Sequence, residues 1–350
     1  MTPLSPITSR IQRIAELLRR YPGAVAAFGF VSGLASFFLI ERHRGSVRVI
    51  AVLLLASWVW LVLERLLRTR LKRRFGIALP PVLLNYAMQL IHQESLFFTL
   101  PFFIVSTAWN TGQAVFTSSL IGAALIAIID PIYYRRLAPR RWLYLAYHSL
   151  TLFAVLLVAL PLIVHLPTTQ SYGIALGSAA LLSFPSLAAS VPQQLRRRGL
   201  AVIALMATLA AGGWFARSAV PPATLWLARG AISLEVDSAA RQPGPALKTL
   251  TASQLHGDGL YAFTAINAPL GLTERIHHDW VHNGKVVDSI ELDISGGREP
   301  GYRAWTHKTN FPDVPNGRWE VRVVTAGGQR IGTLRFRIAA DASPPAPGQA

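Results

Sequence analysis

Apolar residues in the first 220 positions fall into seven long runs, at roughly 22–40, 47–63, 82–109, 114–130, 142–164, 172–191 and 200–220. At ~1.5 Å rise per residue most of them are long enough to cross a hydrocarbon core of ~30 Å. The pattern predicts a membrane α-helical bundle of about seven spans over 22–220, preceded by a basic N-terminus at 1–21. Pro221 and Pro222 then stop the last helix and the period changes. Short runs of alternating or β-branched residues follow at 231–236, 260–267, 302–309, 318–325 and 330–338, with two more on either side of Asn283-Gly284. An Asn-Gly pair between such runs predicts a type I′ hairpin. Seven short strands predict an all-β, immunoglobulin-like antiparallel sandwich at 259–338, after a linker and first strand at 221–258. The Pro- and Ala-rich tail, 339–350, reads as disordered.

The run at 82–109 is too long for one ordinary span and is interrupted by Gln89, His92, Gln93 and Glu94. Two spans there would need a turn where no turn residues exist. The expectation is one long helix, or an interfacial helix feeding a kinked span, with Pro80 and Pro81 at its start and Pro101 inside it.

Charge sets the orientation. Up to Ala219 there are 21 Lys and Arg against 5 Asp and Glu, so nearly all of the net +17 lies between the apolar runs. That distribution argues against a nucleic-acid partner and for topogenic arginines. Loops on one side carry 17 basic residues and those on the other carry three, which predicts a cytoplasmic N-terminus and an exoplasmic C-terminal domain. The first run is followed by Glu41-Arg42-His43 and reads as a retained signal anchor. With no cysteine, the exported domain must be held by its core, and neither cofactor nor metal is expected.

Candidate chemistry is sparse. Asn85, Gln89, His92 and Gln93 share one helix face, and Glu94 is the acid inside that run. Buried in a membrane, such a set carries protons or binds a cation or lipid headgroup. Six basic residues just before it favour the other expectation, an amphipathic stretch with its polar face in water. His148, with Tyr144 and Ser149, is expected to hydrogen-bond to a neighbouring helix, and Asp130-Pro131 to end a span. In the β region, His277, His278, His282 and Asp279 read as outward-facing strand residues too far apart to chelate one ion. Trp280, Trp305, Arg298 and Tyr302 form a candidate ligand surface, although burial between two sheets accounts for the tryptophans equally well.

Residues 259–338, with YAFTAI, ERIHHDWVHNGK, SGGREPGYRAWTHK and GRWEVRVVTAGGQRIGTLRF, resemble a bacterial domain of unknown function found C-terminal to membrane spans. The N-terminal runs are similar to the uncharacterised module that accompanies it. The resemblance implies a multi-pass inner-membrane protein with a periplasmic β domain and brings no catalytic residues. No nucleophile elbow, zinc-protease, P-loop or dinucleotide motif is present. The expected function is non-enzymatic: anchored in the lipid bilayer, the sandwich binds an envelope protein or glycan. The competing expectation is a transporter or lipid-processing protein with its chemistry around His92 and Glu94.

Overall fold

The computed structural model describes residues 16, 48–59, 81–190, 198–255 and 259–340. Helices stand at six of the seven apolar runs: α1 (Arg48–Val59), α2 (Pro81–Ser106), α3 (Gln113–Ile128), α5 (Arg141–Val164), α6 (Thr168–Ser190) and α7 (Arg198–Phe215). Between α3 and α5 lies α4 (Asp130–Leu137), whose last turn, Tyr133–Leu137, is π-helical. The run at 22–40 lies outside the described residues.

The expected count of seven spans needs correction at this level. Two described helices are long and apolar enough to cross a membrane, Arg141–Val164 and Gly199–Ala219, or three if α3 and α4 count as one broken span. The shortfall has a local cause. Gln89, His92, Gln93 and Glu94 dilute the apolar run of α2. The 82–109 run is one continuous helix with Pro101 inside it, as anticipated.

The helical half encloses buried polar residues within its apolar core and is apolar on its outer surface as well. Gln89, His92, Gln93, Ser95, Thr99, Gln113, Thr117 and Thr151 have no exposed surface, whereas among the described residues 21 of the 26 exposed large apolar side chains belong to the helices and their ends. In water such a surface marks an interaction face. More than half of the apolar stretch of α5 is buried, 56%, against 6% for α7, so α5 is the central helix and α7 a peripheral one.

Helices α3 and α4 meet at 94°. Pro131 has no N–H to give Ala127, four residues back, so the helical ladder breaks there. Ile129 is extended, at φ −88° and ψ 90°. The freed Ala127 carbonyl is taken up by two side chains of α2, Gln89 Nε2 at 3.0 Å and Gln93 Nε2 at 2.7 Å.

Ten strands follow among the described residues: β1 (Trp226–Ser233), β2 (Val236–Asp237), β3 (Gln242–Pro243), β4 (Thr249–Thr251), β5 (Leu260–Asn267), β6 (Thr273–His282), β7 (Lys285–Ser295), β8 (Tyr302–Lys308), β9 (Gly317–Thr325) and β10 (Arg330–Ala339). They form a three-stranded sheet, β1-β5-β8, and a five-stranded sheet, β4-β10-β9-β6-β7, with β2 and β3 as a small ribbon. Ile232, Leu260 and Ala262 of the first sheet pack against Trp280, Trp319, Val321, Phe336 and Ile338 of the second. The pairing is antiparallel except where β4 joins β10 in parallel, which departs from the all-antiparallel expectation. Asn283 and Gly284 both have positive φ, 48° and 88°, as the type I′ turn between β6 and β7 requires.

The sandwich is seated on one end of the helices. Glu274 at the start of β6 accepts two hydrogen bonds from Thr168 at the start of α6. Gln113 donates to the Arg330 carbonyl at 3.0 Å, Arg217 to the Gly327 carbonyl at 2.8 Å, and Gln329 to the Val220 carbonyl at 2.8 Å. All these helix ends belong to the side whose loops, 110–113 and 165–171, carry no Lys or Arg.

Candidate functional site

Four elements converge on His92. Helix α2 presents its imidazole, α4 presents Tyr133, α5 presents His148, and α1 presents Trp58. Tyr133 Oη lies 2.9 Å from His92 Nδ1, and His92 Nε2 lies 3.0 Å from His148 Nδ1. Only two proton orders satisfy this file. Either Tyr133 donates to Nδ1 and His92 passes Nε2–H to His148, or His148 donates to Nε2 and His92 gives Nδ1–H to Tyr133. One proton shift at each ring interconverts them.

Aromatic rings wall the pair. Trp58 lies 4.5 Å from the His148 ring and 5.8 Å from His92, held by its indole N–H on Ser95 Oγ at 3.0 Å. The Tyr147 and Tyr144 rings lie 5.1 Å and 5.8 Å from His92, and Tyr147 Oη is fixed on the Ala123 carbonyl at 2.8 Å. These rings leave His92 without exposed surface and His148 with little. A second layer lies one turn along α2. Gln89 Nε2 also donates to Asp130 Oδ1 at 2.7 Å, and Tyr134 Oη donates to Gln89 Oε1 at 2.5 Å.

The sequence-derived set is therefore split. Gln89 and His92 are brought together and fully buried, which overturns the expectation of a polar face lying in water: the break at Pro131 calls for glutamine donors inside the bundle. Asn85 is exposed, and Glu94 is half-buried, ~200° round the helix from His92. His148 bonds to a neighbouring helix, as expected. Sequence reasoning missed Trp58, Tyr133 and Tyr147; the Tyr-Tyr pair directly after Asp130-Pro131 was the available signal.

In the sandwich, Trp280 is fully buried between the sheets and is no ligand surface, because β6 turns its even-numbered residues inward. The same alternation corrects His278. It is buried, bonded to Thr264 Oγ1 at 3.2 Å and Thr306 Oγ1 at 3.1 Å, and burial pushes its pKa down to about 4. His282 stacks on Trp319 at 4.4 Å. The other three candidates do meet. The Arg241 guanidinium lies 5.8 Å from the Tyr302 ring and 5.9 Å from Trp305, and Arg298 lies 5.0 Å from Tyr302. Burial pushes the Glu274 carboxyl above the usual carboxylate range, against the opposing pull of the two Thr168 hydrogen bonds.

A family of unknown function, DUF5924, matches residues 4–262, most of the 350-residue chain. The chain belongs to that family. A second match, to DUF2914, a protein of unknown function, covers 273–338. No curated protein and no solved structure matches the chain. The DUF5924 match takes in the helices, the box around His92, and the strands from β1 into β5. The edge between the two matches thus runs through one sandwich: β5, itself paired with β1, pairs with β8 across it, and β4 pairs with β10.

Proposed function

We propose that this DUF5924 protein is a multi-pass protein of the bacterial inner membrane, with a cytoplasmic N-terminus and a periplasmic immunoglobulin-like sandwich. Its function is proton-linked transport or lipid processing centred on the Tyr133–His92–His148 file. One observation carries the reading: two imidazoles and a phenol joined at 2.9 and 3.0 Å inside a helical half whose outer surface is apolar. Ionisable groups in such a place are costly unless they work, and a bistable proton order is what a relay needs. The arginine-poor ends beneath the sandwich agree with the orientation derived from loop charge.

A second reading has the sandwich recognise an envelope protein or glycan, favoured by the cation-bearing aromatic group of Arg241, Tyr302, Arg298 and Trp305. Complementation of a deletion strain separates the two. His92→Gln and Tyr133→Phe are expected to fail at normal membrane abundance, while Tyr302→Ala restores the phenotype. Full rescue by His92→Gln overturns the relay.

A further inference from the structure

The end of the sandwich farthest from the helices carries an arrangement that neither reading uses. Arg318 on β9 and Arg337 on β10 stand directly opposite each other in the antiparallel register. Facing side chains in such a pair are about 5 Å apart at Cβ, and like charges there repel. Three other arginines on this sheet are matched by acids: Arg322 and Arg335 share Glu320 at 3.2 and 3.4 Å, and Arg275 meets Glu291 at 3.0 Å. Arg318 and Arg337 have no acidic partner among the described residues.

The two arginines, with Asn283 and Gly317, line an open hollow of about 380 Å³. Its floor is built rather than incidental. Gly317 sits at φ +134°, where a Cβ would come within 2.6 Å of Asn283 Oδ1. That oxygen accepts from the Arg318 amide at 3.1 Å, and the Asn283 amide donates to the Arg318 carbonyl at 2.9 Å, so the hairpin tip and the first residues of β9 are tied into one rigid wall. Two guanidinium forks facing one hollow match the geometry of a multiply bonded oxyanion.

We propose that this hollow binds a phosphate or carboxylate oxyanion, clamped between Arg318 and Arg337. From Thr325, beside the turn that docks on the helices, to Gly317 strand β9 climbs roughly 26 Å, which on the membrane placement proposed above carries the hollow beyond the lipid headgroups. The ligand is therefore a free anion or an anionic group on an envelope glycan.

The test uses the full chain in uncharged detergent micelles, titrated by calorimetry with inorganic phosphate and, separately, with a hexagalacturonate. Arg318→Ala and Arg337→Ala are each expected to weaken binding about tenfold or more, the loss of one charge-assisted fork. Arg335→Ala, whose guanidinium is already matched by Glu320, leaves it unchanged. Tighter binding of the oligosaccharide assigns the site to a glycan, and binding of phosphate alone assigns it to the free ion. No binding of either probe at millimolar concentration overturns the proposal, as does an equal loss in Arg335→Ala, which marks unspecific surface charge. Neither result depends on the state of the His92 file.

Discussion

A single carboxylate oxygen of Glu274 accepts both the Thr168 amide, at 2.6 Å, and the Thr168 hydroxyl, at 2.7 Å. The first strand of a hairpin thereby serves as the N-terminal cap of a helix more than a hundred residues earlier. A buried acid in that position satisfies orphan amides and meets the positive end of the helix dipole. Glu274→Ala leaves both donors without a partner and is expected to cost ~1 to 3 kcal/mol. Glu274→Gln keeps an acceptor and costs less. Thermal unfolding in micelles, with limited proteolysis in the 268–272 segment, reads the difference.

The pH response of the sandwich follows from His278. Its folded pKa, about 4, lies below the ordinary histidine value of 6.5, so the unfolded chain binds a proton that the folded one refuses. Stability is complete above pH 6.5 and declines as pH falls toward 4, by up to ~3 kcal/mol. The raised Glu274 carboxyl acts in the opposite direction, since the folded state takes up its proton first. Urea denaturation between pH 7 and 4 should show a net loss on acidification that shrinks in His278→Gln, leaving the smaller acid loss of Glu320, whose carboxyl, against the upward pull of burial, is held down by Arg322 and Arg335.

Trp319 and Trp305 provide a contrast in burial. Trp319 is fully buried with its indole N–H on the Pro315 carbonyl at 2.7 Å, and Trp319→Ala should destabilise the protein by ~3 to 5 kcal/mol. Trp305 is half-buried under Arg241, and Trp305→Ala should cost ~1 kcal/mol or less if it serves a ligand. Chemical denaturation midpoints measure both.

The seven-strand pattern was readable because alternation and turn residues act locally: Asn283-Gly284 fixes its hairpin whatever surrounds it. The parallel joining of β4 to β10 was not readable, since three residues carry no period and their partner is the last strand. The polar face of α2 was visible at Gln89 and His92, but not its direction. That depends on a carbonyl freed on another helix by Pro131, a relation between segments that composition does not encode. Likewise Tyr133 reaches His92 only because α4 turns away from α3 at 94°.

Fragments test where the folding unit begins. Residues 225–340 hold every strand of both sheets and should give a β-rich circular dichroism spectrum. Residues 273–338 lack β1, β4 and β5 and should remain unfolded or aggregate. A cooperative transition from the shorter fragment would contradict the shared core.

Topology is checked by reporters active only outside the cytoplasm. Fusions after Gly244 or at the C-terminus should be active, and fusions after Arg74 or Arg198 silent, given the 17-to-3 loop asymmetry. A silent C-terminal fusion would restore an even number of spans.

The pairing of β4 with β10 has a consequence for biogenesis. A chain made from its N-terminal end delivers β4 early and its partner last of all. Until β10 arrives, Leu250 has no sheet to cover it, and β9 lacks one neighbour. Long-range pairing of this kind closes slowly. The half-assembled sandwich must therefore wait with open strand edges, the period in which a chaperone has most to grip.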